Sequence, residues 1–406
     1  MGITGKIKGI INDSMWSSAG LMLMNVVMQF LVYPFWNSAL GSEMYGNVIF
    51  LISLMNIFSI SMGVSCNYCR MTNSAKGETY NSDYLMIMAV SSVIAAVYSL
   101  IVGLFCGVEL SATDLLLYML LSVFTMWRYY ADVQYKLRVD YRSYFVYYLF
   151  ISIGYAVGIL LFKITGAWAL ALLPGEIAGL LYVFIRGDVL KFREKLDIDR
   201  FKTIVKMAGV LFFSEAVANI IFNGDRILLK AAMSGTAVAV YYQASLIGKT
   251  MSLITTPLNG VLIGYLVRFK GKFTKKLLGI ITLASVGVIL LALVLSVVGS
   301  YILIYILYPD DFDTVKQWFW LGNAPQIVFF ISNIISVILL RISDAKFQMY
   351  LNIIYAVAFC LFCIPMTFYY GFMGFCIALL LTSTVRYASA VLLCFYSSNK
   401  KHTNSE

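Results

Sequence analysis

The chain has 406 residues, 61% of them hydrophobic and only 12% charged, with a formal net charge of +10, whereas soluble domains carry about a quarter charged residues. This composition excludes a soluble globular protein and makes lipid the solvent for most of the chain. The positive excess does not indicate nucleic acid, because the basic residues fall in short clusters between apolar runs and not on one soluble face.

A hydrocarbon core about 30 Å thick takes roughly 20 residues of helix. Apolar runs centre near residues 25, 57, 95, 124, 152, 177, 213, 248, 289, 329, 359 and 385, which predicts an all-α polytopic membrane protein of about twelve transmembrane helices. The first run, Met15 to Trp36, is too long for a signal-peptide core and reads as a retained helix. Connections after even-numbered helices hold Arg70 and Lys76; Lys136, Arg138 and Arg142; Arg186 through Lys202; Arg268 through Lys276; and Arg341 with Lys346. The opposite connections hold Glu43, Glu109, Asp114, Asp310, Asp311 and Asp313. The positive-inside rule places the basic side and both termini in the cytoplasm of a bacterial inner membrane.

The longest basic connection joins helices 6 and 7. It divides the chain into an N-terminal lobe, 1–190, a cytoplasmic linker, 191–203, and a C-terminal lobe with a short tail, 204–406. A faint parallel repeat supports two halves: Asn25, Gln29 and Gly41 stand at one common offset from Asn219, Asn223 and Gly235. Cys66 with Cys69 and Cys360 with Cys363 have the spacing of zinc ligands. The second pair falls mid-span and the sole histidine, His402, lies in the tail, so packing is the reading and no metal is expected.

Polar stripes run along several spans. In helix 8, Ser245, Lys249, Ser252, Thr256 and Asn259 share a face about 80° wide at 100° per residue. Helix 7 carries Glu215, Asn219, Asn223 and Arg226, and helix 1 carries Ser14, Ser18, Asn25 and Gln29. Contacts between helices account for single Ser, Thr and Asn residues, but a full charge at the centre of an isolated span costs about 2.5–3.5 kcal/mol. Arg128 and Asp132 form an i, i+4 pair that neutralises itself. Lys249 and Arg386 lie deeper, Arg386 beside Thr382 and Ser389, and predict a wet cavity. Cations with neutral hydrogen-bonding groups suit an anionic headgroup bearing hydroxyls: Lys249, Arg386 and Arg128 for phosphate, and Ser245, Ser252, Thr256 and Asn259 for sugar. Glu176 and Glu215 are candidates for coupling to H+ or Na+, and the residues do not choose between the ions.

The segments NVVMQFLVYPFWNSALGSEMYGNVIF and FNGDRILLKAAMSGTAVAVYYQASLIGKTMSLITTPLNGVLIGYL resemble Wzx-type flippases, the oligosaccharide-lipid branch of the multidrug/oligosaccharidyl-lipid/polysaccharide (MOP) exporter superfamily. The likeness rests on a polar residue and proline late in helix 1, LG and YG entering helix 2, Asp225–Arg226 closing helix 7, and an aromatic opening helix 8. The GTAVAVYY turn lacks the glycine expected just before that aromatic. The resemblance implies a MATE-like fold of two six-helix lobes, with Asp225 and Arg226 in the family's helix 7 motif. It implies a flippase that moves an undecaprenyl-pyrophosphate-linked oligosaccharide, such as an O-antigen repeat of lipopolysaccharide biosynthesis, to the periplasmic leaflet. A polysaccharide polymerase and a chain-length regulator would be its partners. Two rival readings are a drug or metabolite exporter of the same superfamily and a membrane polymerase or ligase; the short periplasmic loops weigh against an enzyme.

Reporter fusions test the topology: those at Gly77, Arg193 and Lys272 are expected to report cytoplasm, and those at Gly107, Lys163 and Asp311 periplasm. An inverted block from helix 7 onward would overturn it.

Overall fold

Inside a bilayer each backbone donor and acceptor needs a partner in its own segment or in a closed barrel. The computed structural model meets that demand with helices and, among the described residues, no strands. The structure describes residues 15–16, 18–74, 77, 79–192, 197–251, 274–343 and 346–403, without the side chains of 346 and 398–403.

Among the described residues, twelve main helices follow in chain order. They are α1 Ser18–Leu40, α2 Ser42–Ser74, α3 Asn81–Phe105, α4 Ala112–Ala131 and α5 Tyr141–Thr165, then α6 Leu173–Arg186, α7 Ile198–Ala232 and α8 Gly235–Ala244. The last four are α9 Lys275–Leu307, α10 Phe319–Ile342, α11 over 346–370 and α12 over 372–403. Eight stretches of the described residues are long and apolar enough to cross a membrane, and the last, Phe347–Ser397, contains both α11 and α12. Gly371, at φ 61° and ψ −144°, breaks the helix between them, a conformation that a Cβ disfavours. The remaining three helices are interrupted or polar. α4 carries Arg128 and runs through an elbow at Asp132 into Val133–Arg138; α6 starts from a 3-10 turn at Trp168–Ala171; and α8 breaks at Ser245 before resuming.

Side-chain caps open several of the helices. The side chains of Ser111, Asp140, Ser234 and Thr274 each accept a backbone N–H three residues on, at the heads of α4, α5, α8 and α9. Asp197 caps α7 by accepting the N–H groups of Arg200 and Asp199, and this bonding holds its carboxyl below the ordinary range.

The chain groups into two compact units, 1–227 and 228–406. The charge pattern places its division earlier, at 191–203. The intervening part of α7 groups with the first unit because it lies antiparallel along α2. Cys69 Sγ is 3.9 Å from the Ile204 carbonyl, the Phe58 and Phe212 rings are 5.4 Å apart, and Asn219 reaches Ser61 at 2.9 Å. Large side chains on α9, such as Leu283, Leu290, Leu291 and Leu295, are more than half exposed. In water they would aggregate; in lipid they are ordinary solvent contacts.

Within the first unit, α5 and α6 approach backbone to backbone. A Cβ on Gly154 would lie 2.4 Å from the Gly175 Cα, and one on Gly158 would lie 2.4 Å from the Ala171 carbonyl oxygen. The helices have no room to part slightly without losing the whole contact. Gly154→Val is expected to destabilise the protein by about 1–3 kcal/mol through overpacking, read as a lower unfolding temperature in detergent, while Gly279→Ala, on an open face of α9, does not lower it.

Candidate substrate-handling sites

The first unit buries an ion pair between α4 and α6. Arg128 Nε meets Glu176 Oε2 at 2.5 Å, with side chains 6% and 3% exposed. Tyr155 on α5 donates its hydroxyl to Glu176 Oε1 at 2.7 Å, and the guanidinium lies over the Tyr129 ring, 4.2 Å from its centre. Tyr147 donates to the Arg128 carbonyl, fastening α5 to the same turn. Asp132, the expected partner of Arg128, is engaged elsewhere. It sits at the elbow of α4, where it accepts from Asn67, Tyr144 and Lys136. Beyond the elbow the chain resumes helix over Val133–Arg138.

The α7 stripe is hydrogen-bonded along itself and onto α2. The Asn219 amide donates to the Glu215 carbonyl at 3.1 Å and to Ser61 at 2.9 Å; Asn223 donates to the Asn219 carbonyl. Arg226 donates to Asn223 Oδ1 at 2.9 Å and to Ser53 at 3.3 Å, with Asp225 4.0 Å from its Nε. Glu215 is half-buried and makes no ion pair among the described residues. In α1, Asn25 bonds back to the Leu21 carbonyl. Gln29 falls in a wide π turn over Met28–Val32, with its Oε1 buried and without a partner; such turns recur at functional positions.

Sequence reading missed a third group. Arg70 donates to the Tyr130 hydroxyl and to Asn81, and the Asn81 amide donates to the carbonyls of Asp188 and Lys191. Arg200 pairs with Asp83 at 2.5 Å and lies over the Tyr80 ring, while Gln134 accepts the N–H groups of Asp188 and Val189. These residues tie the connection between α6 and α7 to the ends of α2, α3 and α4. In the sequence Arg70 and Arg200 read as topology signals only, and no spacing marks Asn81, Asp83 or Gln134.

In the second unit, Arg386 on α12 is 3% exposed. Its Nη1 donates to Ser332 at 3.1 Å and to the Phe329 carbonyl at 3.4 Å, and its Nη2 reaches Asn352 at 3.5 Å. The Phe329 ring stands 4.4 Å and the Tyr355 ring 6.0 Å from the guanidinium carbon. Its Nε is buried with no partner, and no carboxylate pairs with it among the described residues. Lys249 is half-buried, its ammonium 4.8 Å and 5.3 Å from the Tyr241 and Tyr242 ring centres. Ser245 is buried and bonds to the Tyr241 carbonyl of its own helix. The break there interrupts the regular 100° advance on which the helix 8 stripe was drawn. Ser14, Ser252, Thr256 and Asn259 lie outside the described residues. Asn323, unremarked in the sequence, joins three helices: it accepts the Gly248 N–H at 2.6 Å and donates to Ser300 at 3.0 Å and to the Phe319 carbonyl.

No family model matches the chain, and no curated protein matches it by sequence. Solved structures match it in fold. An inward-facing multidrug resistance MATE family transporter of the MOP superfamily has a TM-score of 0.73 at 13% identity, over 96% of this chain and 100% of that one. The lipid II flippase MurJ, in an inward closed conformation, has a TM-score of 0.65 at 14% identity, over 94% and 87%. A Pyrococcus furiosus MOP superfamily transporter, described as having a binding pocket of reverse polarity that suggests a different function, has a TM-score of 0.54 at 13% identity, over 96% of each chain. The fold is that of MOP transporters.

Asn323→Leu leaves the buried Gly248 N–H without an acceptor and is expected to cost about 1–3 kcal/mol, seen as a lower unfolding temperature in detergent. Ser245→Ala removes only a bond within its own helix and is expected to change that temperature little.

Proposed function

We propose that this chain is a flippase that carries an undecaprenyl-pyrophosphate-linked oligosaccharide, such as an O-antigen repeat unit, from the cytoplasmic to the periplasmic leaflet of a bacterial inner membrane by alternating access. Its main support is Arg386. A guanidinium in a spanning helix costs energy to bury, and this one is surrounded by neutral oxygens and two aromatic faces, which orient it without cancelling its charge. A diphosphate supplies the missing negative charge, and its oxygens match the planar donors. Lys249, held over two tyrosine rings, offers a second cation, and Ser332 and Asn352 offer the neutral groups that sugar hydroxyls bind.

A lipid II flippase shares the fold, so the architecture is compatible with a lipid-linked cargo. It also accommodates pockets of more than one polarity, as the Pyrococcus furiosus protein indicates. A carrier of cationic drugs gains nothing from an unpaired buried guanidinium, which favours an anion-bearing cargo.

The test is export complementation with accumulation of the protein measured in parallel. Loss of charged hydrogen bonds worth about 1.5–3 kcal/mol predicts at least about tenfold slower export for Arg386→Ala, with partial activity in Arg386→Lys. Export at the parental rate by an alanine variant that accumulates normally would reduce Arg386 to a packing role.

A further inference from the structure

The fourth, fifth and sixth helices of each half bring charged or polar side chains together inside a unit. In the second half Ser332, Asn352 and Arg386 meet, and among the described residues the cation has no acid. In the first half Arg128, Tyr155 and Glu176 meet, and the cation has one. The acid is held in an unusual way for a purely structural pair. Among the described residues the guanidinium makes a single hydrogen bond, through Nε, and its two terminal nitrogens donate to no protein group. A bidentate pair would use two of the three nitrogens; here the paired edge that suits a phosphate is left over.

Resting on the flippase reading, we infer that Arg128–Glu176 is an exchange site at which the cargo's diphosphate takes the guanidinium from Glu176 and Glu176 takes up a proton in its place. The geometry prepares each half of the exchange. The diphosphate approaches the terminal nitrogens, and the Nε–Oε2 contact breaks. Glu176 is then a carboxylate only 3% exposed, and an unpaired charge at such a site costs several kcal/mol. A proton from water binds Oε2, the oxygen the guanidinium has vacated, while Tyr155 continues to donate to Oε1. No other bond has to change. The diester brings two negative charges and the proton one positive charge, so the site holds one added charge in low dielectric and not two.

The groups around the pair leave Glu176 as the proton acceptor. α4 contributes Tyr129 and α5 contributes Tyr147, Tyr148 and Tyr155, with Tyr33 of α1 beside Tyr129; phenols are ordinarily protonated at neutral pH. Asp132, one turn along α4, keeps its own cation, Lys136, and the Tyr144 hydroxyl.

The experiment measures proton uptake by the purified full chain in nanodiscs as it binds farnesyl-diphosphoryl-N-acetylglucosamine, a diester whose phosphates do not titrate near neutrality. Calorimetry in buffers of different protonation heat counts the protons. The wild type is expected to take up one proton per diester bound, with affinity rising about tenfold for each pH unit lowered through neutrality. Glu176→Gln is expected to bind with no uptake and no pH dependence. Arg128→Gln is expected to bind at least about tenfold more weakly, also without uptake, since Glu176 then has no cation to lose. Wild-type binding without uptake, or uptake undiminished in Glu176→Gln, overturns the exchange and leaves the flippase reading standing. The wild-type count is decisive even if a variant fails to accumulate. Failure of the wild type to bind the diester at all overturns both.

Discussion

A charge inside a bilayer has to be paired, caged or wetted, and the side-chain architecture of this protein follows from how each ionisable group meets that demand. Arg128 is paired, with Glu176. Arg386 is caged, by a hydroxyl, an amide, a carbonyl and two rings. Lys249 rests on two tyrosines, and Arg226 is drawn into the amides and hydroxyls of α7 and α2. Pairing offsets the charge directly, here through Nε alone, so that the terminal nitrogens of Arg128 stay open to a ligand; caging orients the charge without offsetting it.

The helices were legible because lipid imposes one length and one composition on a span; the caps at Ser111, Asp140, Ser234 and Thr274 follow local rules but came only with the structure. The pairing of Arg128 was not legible. Asp132 stands four residues away and Glu176 forty-eight, and a helical wheel sees only the nearer one. Periodicity also assumes an unbroken helix. The π turn at Met28–Val32 and the break at Ser245 shift the phase of the Gln29 and Lys249 faces, and neither leaves a mark in the apolar pattern. Arg386 was legible as a cation within α12 and was expected to face a wet cavity; the structure packs it against Ser332 and Asn352, which became meaningful only once α10 and α11 were beside it.

The place where the chain divides shows the same limit. Basic loops report which side of the membrane a connection occupies, and they say nothing of which neighbour a helix prefers. α7 joins the first unit through Ser53, Ser61, Phe58 and Cys69 of α2, residues that look unremarkable in an apolar run. The clasp of Asn81, Asp83 and Gln134 on Asp188, Val189, Lys191 and Arg200 then anchors the head of α7 to the same body.

The two kinds of helix contact in the first unit differ in what it costs to part them. Between α5 and α6 the glycine backbones touch, and separating them opens a void along the whole seam, with each lost contact uncompensated by lipid. Between α7 and α2 the contacts are single hydrogen bonds and one aromatic edge. Hydrogen bonds of this kind in membranes average about 0.6 kcal/mol, because the separated helices find other partners. The Asn219–Ser61 and Arg226–Ser53 bonds together thus contribute on the order of 1 kcal/mol, less than the binding energy of one charged headgroup contact, about 1.5–3 kcal/mol. A ligand favouring the parted arrangement by that margin shifts the balance. The polar seam along α7 is therefore the weaker of the two contacts, and the glycine seam of α5 and α6 the stronger.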